Sequence, residues 1–291
     1  MDTQWLQAFV AVADSGSFSQ AAENLHLSQP AVSKRVAALE ERTDTVLFDR
    51  IGRQVNLTEA GKTLLPHARR VLRELEDSRR ALTQLSGGVS GRLSIGTSHH
   101  IGLHHLPPVL RLYAQQYPDV DLDIDFMDSE QAIHAVEQGR LELGIVTLPP
   151  ETPSRLNSCL IWPDPMAVVA APTHPLAARK HISVKDLASY PAVLPDAQTF
   201  THDIVRRVLA RHGMTPRVRL ATNYLETLKM LVSVGLGWSA LPLTMTDEHV
   251  VPLYVPGIEL SRELGVVWHA RRSLSRAAEA LLETLIQESP T

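Results

Sequence analysis

Ser28, Gln29, Ser33, Lys34 and Arg35 put hydroxyls, an amide and two cations into one short stretch of chain. Amides and hydroxyls can donate to and accept from base edges, and cations neutralise phosphates, so this set suits a surface that enters a DNA major groove. For that, the groups must share one face of a helix. The apolar residues Val32, Val36 and Leu39 fall on the opposite face at helical spacing. Ser28 is placed to cap the helix, and Pro30 sits in its first turn, where a missing N–H costs nothing. Before it, Ala21, Ala22 and Leu25 mark a shorter helix, and Leu27-Ser28-Gln29-Pro30 is the break. Two helices joined by so tight a turn make a helix-turn-helix. Downstream, Arg50 and Arg53 lie between the β-prone pieces Val46-Leu47-Phe48 and Val55-Asn56-Leu57. That pattern predicts a hairpin wing whose arginines reach phosphates or a minor groove.

A second set of polar residues stands at strand ends in the rest of the chain. Thr97, Ser98 and His99 follow a strand at 92–96 and precede a helix expected over 101–116. Asp128 and Ser129 follow the alternating strand 121–127, and Thr147 ends the apolar strand 143–147. Phe200 and Thr201 precede another helix, and Asn223, with Glu226 three residues later, reads as a capping box for the helix from Leu225. In an open α/β sheet, ligands bind beyond the carboxyl ends of the strands, where helix N-termini present free amides. The nine residues Thr97, Ser98, His99, Asp128, Ser129, Thr147, Phe200, Thr201 and Asn223 are therefore candidates for holding a small organic or inorganic anion.

Other chemistries find little support. A helix puts His100 and His104 on one face, but no third ligand follows at a diagnostic spacing. The reading is of no metal, with one histidine in the anion loop and the others satisfied locally. Gly235-Leu236-Gly237 lacks the spacing of a dinucleotide loop, and the single Cys159 has no motif around it. No paired carboxylates or oriented nucleophile stand out, so no enzyme and no cofactor are expected.

The elements that must position these groups divide the chain in two. Residues 3–14 read as a bracing helix with Phe9, Val10 and Val12 inward, ended by Gly16. From Thr58, apolar residues recur three and four apart through Leu64, Ala68, Val71, Leu75, Leu82 and Leu85. So long an apolar stripe outside a small domain predicts pairing with a second copy. Ser86-Gly87-Gly88-Val89-Ser90-Gly91 is the linker. Beyond it, repeated strand–helix units predict a mostly parallel α/β domain, with a crossing strand at 166–171 leading to a second lobe. At 291 residues and 44% hydrophobic content the chain can bury more than one core. Its net charge of -4 does not advertise a polyanion partner. Residues 1–90 are neutral, with as many Lys and Arg as Asp and Glu, so their cations must be gathered on one face to meet DNA. With one cysteine, no apolar span and no leader pattern, a cytoplasmic protein away from membranes is expected.

The ordered residues Ser17-Phe18, Ala21-Ala22, Leu25, Ser28 to Ser33, Leu39-Glu40, Leu47-Phe48, Arg50, Leu57-Thr58 and Gly61 resemble the N-terminal domain of LysR-type transcriptional regulators. The second half is similar to that family's effector domain in Leu93-Ser94-Ile95-Gly96, Leu106-Pro107, Tyr117-Pro118, Gly139 to Ile145, His174-Pro175-Leu176 and Val234 to Gly237. The resemblance implies a winged helix-turn-helix at 1–57, a dimerising linker helix and hinge at 58–90, and at 91–291 a two-lobed α/β domain similar to periplasmic binding proteins. It further implies a homodimer or homotetramer on double-stranded promoter DNA, controlled by a small effector between the lobes, with RNA polymerase as a further partner. One departure is Thr43-Asp44-Thr45, where the family commonly has a glycine-containing turn. The alternative is a non-enzymatic small-molecule binding protein whose N-terminal bundle serves only oligomerisation.

Overall fold

The computed structural model describes residues 2–51, 54–84 and 88–289. The chain forms two compact units, Met1–Gly87 and Gly88–Thr291. In the first, α1 (Thr3–Ser15), α2 (Phe18–Asn24) and α3 (Gln29–Thr43) precede a hairpin of β1 (Phe48–Ile51) and β2 (Gln54–Leu57), then the long α4 (Glu59–Gln84). Each start and stop has a local cause. Gly16 ends α1 at φ 63 and donates its N–H to Val12. Ser17 caps α2, but the Gln20 amide turns outward to Glu23 and Asn24, so the cap is one-sided. Ser28 caps α3 by accepting from the Ala31 N–H, with Pro30 in the first turn.

Phe9, Phe18, Val32, Val36, Leu39 and Phe48 share the core, and the Phe48 ring meets Phe9 and Phe18 at centroid distances of 5.4 and 5.8 Å. The hairpin begins at Phe48 rather than at Val46, because the segment before it is tied elsewhere. The Glu40 carboxylate accepts from the Leu47 N–H at 2.7 Å and the Phe48 N–H at 3.3 Å, and the Thr58 hydroxyl bonds the Val46 carbonyl. Gly61 lets α4 approach that segment, since a Cβ there would lie 2.3 Å from the Leu47 carbonyl oxygen. Of the expected linker helix, 59–84 is helical, with Pro66 inside it, and residues 85–87 lie outside the described residues.

Asp44 caps α3 in the left-handed region at φ 49, the conformation for which glycine is suited. Asp44→Gly should therefore stabilise this unit by about 0.5–1 kcal/mol, seen as a small rise in thermal midpoint with unchanged DNA affinity. A fall in midpoint would contradict this account of the turn.

The second unit runs β3 (Gly91–Thr97), α5 (His99–His104), α6 (Leu106–Gln116), β4 (Val120–Phe126), α7 (Ser129–Glu137), β5 (Leu143–Thr147) and β6 (Leu156–Ala170). It continues with α8 (Val184–Ser189), β7 (Pro191–Leu194), α9 (Phe200–Ala210), β8 (Arg217–Ala221), α10 (Leu225–Ser233), β9 (Ser239–Pro242), β10 (Val251–Leu253), β11 (Leu260–His269) and α11 (Arg276–Gln287). The helix expected over 101–116 is two helices, broken at His105. Pro107 and Pro108 cannot donate to a preceding turn and instead open α6.

The main sheet has the order β10-β6-β11-β5-β3-β4, with β9 also on β6. β3 pairs in parallel with β4 and β5, whereas β11 is antiparallel to both β5 and β6. The crossing strand is far longer than the expected 166–171. Pro163 and Pro165 hid its first part in the sequence, but only β11 pairs beside them, so their missing N–H groups break no ladder. β7 and β8 pair in parallel, and Ala192 of β7 bridges to Trp238, the residue just before β9. One lobe is built on β3, β4 and β5 around Leu93, Tyr113, Ile145 and Leu281, and the other around Val168, Leu194, Val205 and Trp238. β6 and β11 run through both. No described helix is long and apolar enough to cross a membrane.

Candidate functional site

On α3, Ser28, Gln29, Pro30 and Lys34 are exposed, Ser33 and Arg35 are half-buried, and Val32, Val36 and Leu39 are buried. The helix thus turns its polar face outward, as a groove-reading helix must. Two of its groups are held by neighbours. The Gln29 amide donates to the Ser33 hydroxyl at 3.0 Å, and the Arg35 guanidinium donates to the Gln4 side chain at 2.9 Å. Both bonds are exposed and exchangeable for bonds to a ligand. Arg50 lies in β1 with its side chain outside the described residues, as is the whole of Arg53.

In the second unit a cleft lies between the lobes, lined by Ser98, His99, Asp128, Ser129, Thr147, Thr201 and Asn223 among others. Its cavity volume is about 50 Å³, room for roughly four waters. A neighbouring cavity of about 210 Å³ shares Asp128, Glu130, Thr199 and Asn223 with it. Asp128, Thr199 and Tyr224, the residues that precede α7, α9 and α10, all line the cleft, so three helix N-termini face one space. The partial positive charge at these termini favours an anion. Ser98 caps the short α5 at the same place.

Hydrogen bonds hold the lobes together across the cleft, His104 to Glu226 at 2.9 Å among them. Asn223 donates to Asp128 at 2.7 Å, the Phe200 N–H donates to Glu130 at 2.6 Å, and Arg262 donates to Thr201 at 3.3 Å. Burial pushes the Glu130 carboxyl above its ordinary pKa, partly opposed by the Phe200 bond. His99 packs against the rings of Phe126 and Tyr224 at 5.2 and 4.8 Å.

The pattern of a bacterial regulatory helix-turn-helix protein of the lysR family matches residues 3–62, and that of the LysR substrate binding domain matches residues 86–290. The chain belongs to the LysR family. It is 66% identical over 108 residues to an HTH-type transcriptional regulator in the ibpB-leuC intergenic region of Azotobacter vinelandii, covering 37% of this chain and 75% of that protein. It is 30% identical to the RuBisCO operon transcriptional regulator of Allochromatium vinosum, over 98% of this chain and 95% of the relative. In fold it is similar to a full-length OxyR variant of Pseudomonas aeruginosa, with a TM-score of 0.73 at 24% identity, covering 98% of this chain and 94% of that one. As a LysR-family member the chain is a DNA-binding transcription regulator with a ligand-binding domain, and not an enzyme. The match over the helix-turn-helix sets aside an N-terminal bundle that serves only oligomerisation.

Within the LysR ligand-binding domain, several expected residues are placed otherwise. Thr97 is fully buried and its hydroxyl donates to the Ile145 carbonyl at 2.8 Å, so it ties two strands and faces no cleft. Phe200 packs its ring against the cluster around Ala132, Ile133 and Val267, contributing only its N–H at the cleft edge. Asn223 does not cap α10, which Tyr224 precedes. Its side chain instead accepts from the Asp196 N–H and donates to Asp128. The histidines are not all satisfied locally: His100 is buried with neither ring nitrogen hydrogen-bonded, and His105 Nε2 is buried and unbonded.

The residue that sequence reasoning missed is Arg262. It is 6% exposed, bonds Asp164 through Nε at 2.6 Å, and leaves Nη2 buried with no hydrogen-bond partner beside the cleft. Leu260, Arg262 and Leu264 share the buried face of β11, so strand alternation was the signal that could have found it.

Proposed function

We propose that this LysR-family chain acts as a homo-oligomer that reads promoter DNA through α3 and the β1–β2 hairpin, and is switched by a small anion held between its two lobes. The observation that carries the effector reading is the buried, unbonded Nη2 of Arg262, a residue that lines a cleft three helix N-termini face. A buried guanidinium donor without a partner is costly, and a carboxylate or other oxyanion supplies the acceptor. Asp128 and Glu130 stand at the same cleft, so a molecule that also carries a hydroxyl or ammonium donor fits better than a bare dianion. The cavity of about 50 Å³ and the adjoining one of about 210 Å³ together suit a small molecule. Pairing through residues 58–86 is supported by Val71 and Leu75, which stand 45% and 42% exposed on α4. The name of the Azotobacter vinelandii relative places it between two genes, and the genes flanking this chain's own coding sequence are the first promoters to try.

Thermal unfolding of the full-length protein against a panel of small hydroxy acids, amino acids, dicarboxylates, phosphate and sulfate tests the effector reading. A ligand present at a hundred times its Kd should add about 2.7 kcal/mol of stability, and hydroxy or amino acids should exceed the inorganic ions. A panel without any stabilising anion, or with cations as effective, would count against it.

A further inference from the structure

We infer that His100, His104 and Glu226 form a site for a divalent transition-metal ion, Zn²⁺ above all, on the rim of the cleft between the lobes. The three donor atoms lie within 4.8 Å of one another. Glu226 Oε1 is 2.9 Å from His104 Nε2 and 3.7 Å from His100 Nδ1, and the two imidazoles sit 4.7 Å apart. Zn–N and Zn–O bonds near 2.0–2.1 Å place tetrahedral ligands about 3.3 Å apart, and the two Glu226 distances bracket that separation. Two imidazoles and a carboxylate are also the donor set that zinc and its neighbours take, with the fourth position left to water or a ligand.

The independent observation is His100 itself. It is 4% exposed and neither ring nitrogen has a hydrogen bond, whereas buried polar atoms almost always find a partner. A His104–Glu226 pair alone would satisfy the exposed histidine and leave the buried one unexplained. A second set, His100, His105 and Asp164, shares His100, but its carboxylate is already held by Arg262 at 2.6 Å. That same bond balances the Arg262 charge that would otherwise repel an ion. His100 and His104 belong to α5 in one lobe and Glu226 to α10 in the other. A bound ion therefore staples the lobes and makes the regulator's closure depend on metal. The inference does not rest on the anion reading, since Arg262 supplies no ligand to the site.

Zn²⁺ titration of chelator-stripped full-length protein, by calorimetry and by competition with a chromophoric chelator, tests it. One Zn²⁺ per chain is expected, with Kd raised at least tenfold in His104→Ala and in Glu226→Gln. Those two side chains are 46% and 39% exposed, so both variants should fold. Cys159→Ser and His134→Ala should bind as the unaltered protein does. Co²⁺ should give the visible bands of a four-coordinate site, lost in His104→Ala. Zn²⁺ binding unchanged in both His104→Ala and Glu226→Gln, or no binding by the full-length chain, would overturn the site.

Discussion

Arg262→Met should lower the stability of the effector domain by about 3–5 kcal/mol and abolish stabilisation by any anion. Arg262 and Asp164 face each other directly across β11 and β6, are 6% and 2% exposed, and bond at 2.6 Å. Removing the guanidinium leaves a buried carboxylate with no counter-charge, and that penalty is a large part of a domain's net stability. Two companion variants separate folding from binding. Arg262→Lys keeps a cation for Asp164 but lacks the planar fork that serves Asp164 and the cleft together, so stability should largely survive while anion binding fails. Joint Asp164→Asn and Arg262→Met removes both charges and should recover much of the stability without the anion response. Chemical denaturation with and without the ligand checks all three. Full anion stabilisation in Arg262→Lys would show that Nη2 is not the anchor.

On the DNA side, Gln29→Ala and Lys34→Ala should weaken binding in different ways. The Gln29 amide stands exposed in the first turn of α3, where a recognition helix meets base edges. Its loss should cost about 1–3 kcal/mol on the preferred operator and little on unrelated duplex. Lys34 is exposed on the same helix, and we propose that it contacts a phosphate. Its loss should weaken all sequences alike and flatten the salt dependence by about one counterion per copy. Arg35 is already bonded to Gln4, so it must exchange that partner to reach DNA, and its variant should fall between the two. Fluorescence anisotropy on specific and random duplexes over a range of salt distinguishes the cases. Equal losses on both duplexes for Gln29→Ala would remove it from base reading.

What the sequence could reveal depended on whether cause and effect lay close along the chain. The helix-turn-helix is local: Gly16, Ser17, Ser28 and Pro30 punctuate it, and helical spacing separates the buried from the exposed side of α3. The cleft was legible where strand ends feed helix starts, as at Ser98, Asp128 and Ser129. A shift of one position decided Thr97, which is the last residue of β3 and bonds within the sheet, while Ser98 faces the cleft. Asn223 and Glu226 carry a capping-box spacing, yet α10 begins after Tyr224 and both side chains reach the other lobe instead. Arg262 and Asp164 are 98 positions apart, and only the pairing of two long strands brings them together. Long-range strand register leaves no mark that a single sequence displays.

Selection of a randomised duplex pool by the full-length protein tests most directly whether this chain is one half of a paired reader. Enriched sequences should contain two half-sites in approximate two-fold symmetry, with their centres about 10–10.5 base pairs or a multiple of that apart, and Gln29→Ala should erase the consensus within the half-sites. Enrichment of a single unpaired site, or of no sequence at all, would contradict the account.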